Sequence, residues 1–467
     1  MSEVTENELV EKEPASEEKG KKCCCAKIGC VCKRIGDTIK SHKKRTIVIS
    51  VIAFVMICVI VSLCCLNSLL FNRFNEGSVP TDEQLAYAKN QYKRVVIIGV
   101  DGVGDYFSHV YTPHFDEMFS DKTVGSTKIN ASVTYTGVAV YPTISCENWM
   151  SMFHAVRPVY HGFIFKDTNQ RVEAGRKTDS ETYPSFMKQY LDQNPNGRIF
   201  SSCTWRGVNN GVIEDDVRIT KVNSDAEQIY QFLNNETIWS RVTDTTCQQN
   251  YKLDENGKVI TEQYTGNKIE EINAFVQAPV IDAKGQLREF LEAEVLLHGY
   301  GDETIAMRDA MTMQRVIEAN TYVGMDGRYH EKENGYTISY MHLDQVDHAG
   351  HSYGYSKPGY CDAVSRVDNL IGWLYDAFEE AGMLEDTLFI LCTDHGHRLP
   401  GGHKNHGKNT DLEVNVTFAL SGKTVKSGTP GKYVSTDLAP IVCYALGVKA
   451  DEDWQGRVPY NMFTALD

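Results

Sequence analysis

Residues 95–102 of the chain read VVIIGVDG, an uninterrupted apolar run that closes on an aspartate and a glycine. Short apolar runs bounded by turn residues are typical of strands that are buried on both faces. Two later runs have the same form, YTISYMHL at 336–343 and LFILCTDHG at 388–396. Amphipathic helices, such as the one expected at 358–382, alternate with these runs. The pattern therefore predicts an α/β fold with a mostly parallel central sheet flanked by helices.

Clusters of Asp and His follow all three runs. They are Asp101 after the first run, Asp347 and His351 after the second, and Asp394, His395 and His406 after the third. Any one cluster on its own could be a group of ordinary polar loop residues. Carboxylates and imidazoles are also ligands for divalent cations such as Zn²⁺, and the loops beyond parallel strands converge on one crevice. Three clusters in this order therefore predict one site that holds two metal ions.

A candidate nucleophile lies between the first two clusters, in residues 141–163. Pro142 should keep the chain extended before a helix expected at about 147–156, so that Ser145 would occupy the N-cap position. Free N–H groups and the positive end of the helix dipole at that point favour an attacking alkoxide and a bound phosphate. The alternative is a serine that only caps the helix, because serine is a preferred N-cap residue.

The full series of motifs resembles the nucleotide pyrophosphatase/phosphodiesterase branch of the alkaline phosphatase superfamily. In chain order the motifs are an Asp that ends the first strand, Pro-Thr-x-Ser before a helix, His-Gly, Asp-x-x-Gly-His, Asp-His-Gly and a last His-Gly. The resemblance extends from about residue 94 to 463. It implies an alkaline-phosphatase-like fold and an enzyme that acts on phosphate esters.

The resemblance also implies a role for each motif residue. One zinc ion would be bound by Asp101, Ser145, Asp394 and His395, and a second by Asp347, His351 and His406. Ser145 would be the nucleophile that forms a covalent phospho-serine intermediate. Thr143 is a poorer match than Ser145 because it comes two residues too early, and His403 is a poorer match than His406 because no Gly follows it. His397 has no counterpart among the ligands.

Two departures from the family pattern concern the substrate. Nucleotide-cleaving members place Phe directly after the nucleophile, where this chain has Cys146, and Asn twenty-one residues after it, where this chain has Lys166. A substrate-binding cation at Lys166 would favour a phosphate monoester dianion. A lysine that is merely solvated at the surface is the alternative.

Three functions remain open on these residues. The first is a metal-dependent phosphodiesterase or nucleotide pyrophosphatase. The second is a phosphomonoesterase or a phosphodiesterase that acts on lipid head groups. The third is a catalytically silent surface protein that serves in binding or adhesion. Such a protein would be expected to have lost metal ligands, and none of the seven positions is lost.

Residues 46–71 contain no charged side chain and are longer than the ~20 residues that a helix needs to cross a bilayer. Basic residues crowd the segment before them, whereas only Arg73 and Lys89 are found in residues 72–92 after them. The positive-inside rule then predicts a single-pass type II membrane protein, with residues 1–45 in the cytosol and the catalytic domain outside the cell or in a lumen. Three Asn-x-Ser/Thr sequons fit this secretory route, at Asn130, Asn235 and Asn415.

The remaining boundaries follow from composition. Residues 1–45 form a Cys- and Lys-rich tail, 72–93 a short stalk and 94–463 the catalytic domain, in which the polar stretch 215–300 is expected to form a cap or long loops. The tail holds 11 Lys and Arg against 8 Asp and Glu, while the whole chain holds 47 against 62, so the acidic excess lies after residue 45. An acidic domain is a poor generic binder of nucleic acid. The expected partner is a phosphate ester, either a nucleotide or a lipid head group.

Overall fold

The computed structural model describes residues 51–62, 77–164, 167–225, 302–355, 357–397 and 405–466. The chain divides into two compact units, Met1–Phe71 and Asn72–Asp467. In the first unit, residues 51–62 are helical. Among the described residues, no helix combines the length and the apolar character needed to cross a bilayer. The predictions for Lys166, for the tail and for most of the expected cap lie outside the described residues.

The second unit contains both strands and helices. The strands are β1 Gly77–Ser78, β2 Arg94–Val100, β3 Lys122–Val124, β4 Thr127–Val138, β5 Ile199–Cys203, β6 Ile219–Asn223, β7 Thr321–Val323, β8 Tyr329–Glu331, β9 Ile338–Leu343, β10 Thr387–Thr393, β11 Asn415–Gly422 and β12 Val458–Pro459. The helices are α1 Asp82–Ala88, α2 Pro113–Met118, α3 Ser145–His154, α4 Pro158–His161, α5 Thr168–Glu173, α6 Phe186–Gln193, α7 Asp302–Asn320, α8 Gln345–Tyr353, α9 Pro358–Glu380, α10 Asp411–Val414 and α11 Leu438–Ala445.

In the described part of the chain, eight strands form the main sheet in the order β3-β4-β11-β10-β2-β9-β5-β6. Strands β10, β2, β9, β5 and β6 run parallel, whereas β11, β4 and β3 join at one side in antiparallel pairs. The predicted α/β class is therefore confirmed, but the sheet is mixed rather than mostly parallel. Strand β11 is antiparallel to β10, so it starts at the end of the sheet where β10 stops. A parallel strand would need a crossover connection, and the described residues between β10 and β11 contain only the four-residue helix α10.

The apolar run at 95–100 is buried on both faces of the sheet. Val96 and Ile98 point into one hydrophobic core, which also contains residues of α7 and α9. Val95 and Ile97 point into a second core, which contains residues of α3, α6 and α11. Helix α9 was expected at 358–382, and its predicted apolar face lies in the first core. Two-sided burial explains why β2 shows no alternation of polar and apolar residues.

Residues 77–93 lie within the predicted stalk and pack against the rest of the second unit. Strand β1 pairs with β12, with Gly77 opposite Pro459. Thr81 caps helix α1 through a capping box, and Leu85 and Ala88 are buried in the second core. With only two buried side chains, this seven-residue helix has little apolar pattern to read from the sequence.

Two of the three sequons lie in strands of the main sheet. Asn130 is on β4, where its side-chain Nδ2 donates a hydrogen bond to the carbonyl of Val425 at 2.9 Å. Asn415 is the first residue of β11. The third, Asn235, lies outside the described residues. In the folded chain the side-chain amide of Asn130 is therefore already hydrogen-bonded to the backbone.

Candidate active site

The register of three parallel strands places carboxylates side by side. Val100, the last residue of β2, is opposite Thr393 of β10 and Leu343 of β9. The next residue along each strand is an aspartate, which gives Asp101, Asp394 and Asp344. Asp344 was not among the predicted site residues, although it directly follows Leu343 and so could have been found from its position. The C-terminal edge of the sheet thus gathers the site.

Ser145 is the first residue of helix α3, and Ile144 occupies the N-cap position. The prediction that Ser145 would cap a helix starting near 147 was therefore wrong, because the helix starts earlier and no side chain caps it. Ser145 Oγ instead lies 3.3 Å from Asp101 Oδ1 and 3.2 Å from His395 Nε2. Thr143 faces elsewhere, since its hydroxyl donates to the carbonyl of Lys408 at 2.7 Å. The structure therefore brings Ser145, and not Thr143, to the Asp and His side chains.

Asp101, Asp394 and His395 form the first cluster, in which one ligand atom from each residue lies within 4.8 Å of the others. Asp394 Oδ1 accepts hydrogen bonds from the backbone N–H groups of Gly102 and His395, both at 2.9 Å. Its Oδ2 is buried without a hydrogen-bond partner among the described residues and lies 3.3 Å from His395 Nε2. Burial and the nearby Asp101 raise the pKa of Asp394 well above its usual value. An unpartnered buried carboxylate oxygen is costly, so this cluster fits a divalent cation.

Asp347, His351 and His406 form the second cluster. Asp347 and His351 lie four residues apart on α8, with Oδ2 and Nε2 3.2 Å from each other. His406 Nε2 lies 3.6 Å from Asp347 Oδ1 and 3.3 Å from His351 Nε2. Its Nδ1–H donates to the carbonyl of Thr143 at 2.7 Å, which fixes the ring as an outer partner does for a metal ligand. These three side chains therefore also fit a divalent cation.

His397 lies beside the second cluster, although the sequence assigned it no role. It is fully buried, and its Nε2 is 2.9 Å from Asp347 Oδ1. A Cβ atom at Gly350 would lie 2.6 Å from this nitrogen, so the glycine of Asp-x-x-Gly-His makes room for the ring. Burial alone would raise the pKa of Asp347, but the imidazoles of His351, His397 and His406 hold it well below its usual value.

The two clusters adjoin each other. Ligand atoms of Asp101, Asp344 and Asp347 lie within 4.8 Å of one another. The rings of His395 and His406 stack with centroids 3.8 Å apart. Burial and the charge of Asp101 raise the pKa of Asp344 to about 7. A concentration of buried carboxylates with interleaved imidazoles needs positive charge to balance it, and divalent cations would supply that charge.

The fold is alkaline-phosphatase-like. The crystal structure of alkaline phosphatase PafA matches with a TM-score of 0.50 at 12% sequence identity, over 80% of this chain and 99% of that one. More narrowly, the family model for type I phosphodiesterase/nucleotide pyrophosphatase matches residues 95–399, and the chain belongs to this family. The family predicted from the sequence motifs is therefore confirmed.

Curated relatives match over shorter segments. GPI ethanolamine phosphate transferase 2 of Aspergillus fumigatus is 32% identical over 99 residues, which cover 21% of this chain and 12% of that protein. Ectonucleotide pyrophosphatase/phosphodiesterase family member 1 of Homo sapiens is 29% identical over 109 residues, which cover 22% of this chain and 12% of that protein. The matched segments are thus a small part of either relative.

Proposed function

We propose that this chain is a metal-dependent hydrolase of phosphodiester or pyrophosphate bonds and that Ser145 is its nucleophile. The observation that carries the proposal is the position of Ser145 Oγ, which lies within 3.3 Å of both Asp101 and His395 at the start of a helix. Membership of the phosphodiesterase/pyrophosphatase family supports the same chemistry.

Two divalent cations, both zinc, would be held by the chain's own side chains. One set is Asp101, Ser145, Asp394 and His395, and the other is Asp347, His351 and His406. Bound ions would polarise the phosphate oxygens and offset their negative charge. The mixture of imidazole and carboxylate donors suits zinc, and the unpartnered oxygen of Asp394 is aimed into the first set.

The residues around Ser145 would position its hydroxyl to attack a bound phosphate. Its helix directs the positive end of the dipole at a phosphate placed there. The N–H of Cys146 donates to Asn169 Oδ1 at 3.1 Å, which fixes the turn that carries the nucleophile. Attack of Ser145 Oγ on phosphorus would form the Oγ–P bond of a phospho-serine while the bond between phosphorus and the leaving group breaks. Water would then hydrolyse the phospho-serine and restore the serine.

A lipid head group is the second candidate substrate, and Cys146 favours it. In nucleotide-cleaving members a Phe at this position stacks on the base, whereas Cys146 is fully buried and offers no surface to one. The similarity to GPI ethanolamine phosphate transferase 2 points to the same substrate class. A nucleotide substrate would therefore need a base-binding surface elsewhere in the site, whereas a head-group phosphodiester has no base and needs no such surface.

The full-length chain should be assayed on p-nitrophenyl phosphate, bis-p-nitrophenyl phosphate, the nitrophenyl ester of thymidine monophosphate, ATP and a phosphoethanolamine diester. We expect turnover of at least one diester or pyrophosphate, its loss in a strong chelator and its recovery with added zinc. Failure to turn over any substrate while metal is bound would favour the silent binding protein.

We also propose that residues 46–71 anchor the catalytic domain to the outer or lumenal side of a membrane. The support is the uncharged run and the excess of basic residues before it. Protease added to intact cells or sealed vesicles of the same orientation should remove the catalytic domain and spare residues 1–45. Protection of the catalytic domain would reverse the proposed orientation.

A further inference from the structure

The two carboxylate oxygens of Asp101 have different neighbours. Oδ2 accepts hydrogen bonds from the indole Nε1–H of Trp149 at 2.9 Å and from the Nε2–H of His342 at 3.0 Å. A carboxylate oxygen has two lone pairs, so these two donors saturate Oδ2. Oδ1 is the oxygen that faces Ser145 Oγ and, at 3.6 Å, His395 Nε2. Asp101 can therefore offer one oxygen to a metal.

Asp394 is arranged in the same way, with backbone donors in place of side chains. The N–H groups of Gly102 and His395 occupy its Oδ1, and its buried Oδ2 has no hydrogen-bond partner in the part of the chain that the structure describes. Each carboxylate thus turns one oxygen toward the space beside His395, and for Asp101 this is the oxygen that also accepts from Ser145 Oγ. Together with Ser145 Oγ and His395 Nε2, these oxygens make four donor atoms.

The two donors to Asp101 are held firmly in place. Trp149 and His342 are fully buried, and their rings meet edge to face with centroids 4.9 Å apart. His342 lies on β9, opposite Gly99 of β2. A Cβ atom at Gly99 would lie 2.7 Å from the Cη2 atom of Trp149, so the glycine inside the first apolar run leaves space for the indole.

We propose that His342 and Trp149 are positioning residues that restrict Asp101 to one-oxygen binding and so set the metal preference of the first cluster. The inference rests on the proposed function, since it concerns the same metal site. Zinc commonly takes four ligands, whereas Mg²⁺ and Ca²⁺ take six or more oxygens and Ca²⁺ accepts two-oxygen binding by a carboxylate. Freeing Oδ2 would allow Asp101 to bind through both oxygens and weaken the selection for zinc.

The test uses Trp149→Phe, which removes the N–H donor and keeps an aromatic ring. Trp454→Phe is the matched control, because Trp454 is also buried and its Nε1–H donates to the carbonyl of Pro184 at 3.0 Å, away from the cluster. Full-length proteins stripped of metal are titrated with Zn²⁺ and, separately, with Co²⁺. The readouts are the affinity and number of bound ions and the visible absorption of bound Co²⁺, which reports the coordination number.

We expect Trp149→Phe to weaken the binding of one zinc ion by about 10- to 100-fold, the usual effect of losing an outer partner of a ligand. Its Co²⁺ absorption should fall as the coordination number rises, while Trp454→Phe should match the wild type. His342→Leu should behave like Trp149→Phe, and His342→Gln, which keeps an N–H donor, should recover most of the affinity.

The outcomes separate this inference from the proposed function. A wild-type chain that binds no metal would refute both. Two ions bound by the wild type with the same affinity and Co²⁺ spectrum in Trp149→Phe and His342→Leu would refute the positioning role alone. Equal losses in Trp149→Phe and Trp454→Phe would also refute it, because the effect would then be one of general stability.

Discussion

The hydroxyl of Ser145 is held between side chains from two different strand ends, Asp101 after β2 and His395 after β10. It does not cap its own helix, so no local hydrogen bond of α3 depends on it. Its position is consequently explained by the site and not by the helix. That distinction makes the residue a sharp test of the mechanism.

Replacement of Ser145 by Ala should abolish turnover, with a loss on the order of 10⁴-fold or more in kcat, as for other serine nucleophiles. The fold and the metal content should remain nearly intact because six other ligands hold the site. Activity assays combined with metal analysis check both points.

The control is Thr143→Ala, which should keep substantial activity, since the hydroxyl of Thr143 contacts the loop at Gly407 and Lys408. The contact of Thr143 with His406 is made by its backbone carbonyl, which the substitution keeps. Near-wild-type turnover in Ser145→Ala together with an inactive Thr143→Ala would show that the nucleophile has been misassigned.

Lys166 lies outside the described residues, and its role remains a prediction from the sequence. A cation near the phosphate stabilises a dianionic monoester more than a monoanionic diester, because Coulomb attraction scales with charge. Lys166→Asn should therefore raise the ratio of diesterase to monoesterase kcat/KM by at least about tenfold, or ~1.4 kcal/mol. Matched nitrophenyl mono- and diesters measure this ratio. Lys128→Asn, at an exposed position on β4, is the control, and an unchanged ratio in Lys166→Asn would mean that Lys166 faces solvent.

At the level of elements, β2 and α9 could be predicted because their signals are local. The sequence shows the apolar run of β2 and the helical spacing of the apolar residues on α9, and the structure has a strand and a helix at these positions. The antiparallel pairing of β11 could not be predicted, since this strand is buried along almost its whole length, as the parallel strands are, and so shows no alternation of buried and exposed residues.

Within the site, too, residues in local motifs could be predicted, whereas residues whose role depends on strand pairing could not. Asp101 and His395 belong to short motifs and could be identified from the sequence. His342 and Trp149 could not, because their contacts with Asp101 depend on which strand lies beside which. Neither residue stands in a motif of its own.

Helix α9 supports the site from the first core, and its packing can be tested at Leu370, which is 1% exposed. Leu370→Ala should lower the free energy of unfolding by about 2–5 kcal/mol, because truncation of a buried leucine leaves a cavity. The midpoint of urea unfolding measures this loss. Asp376→Ala, at an exposed position of the same helix, should cost less, because truncation of an exposed side chain leaves no cavity. Similar losses in the two variants would contradict the assigned face.

For the whole molecule, the clustered carboxylates Asp101, Asp344, Asp347 and Asp394 link stability to metal binding. Removing the ions should leave these buried groups uncompensated and lower the melting temperature. An ion present at a thousand times its Kd contributes about 4 kcal/mol to folding stability. Thermal melts of the full-length chain in chelator, and again after zinc is restored in excess, measure the effect. A melting temperature and an activity that both survive a strong chelator would argue against metal in this site.

The pairing of β1 with β12 has a mechanical consequence. Gly77 and Ser78 are joined to Pro459 and Val458 ahead of the segment that leads into β2. Tension applied to the polypeptide before residue 77 must break this pairing and then separate α1 from the second core before it reaches β2, the strand that Asp101 follows. The pairing thus takes up such a pull first, so residues 77–93 can be released while β2 and the side chains that follow it keep their positions.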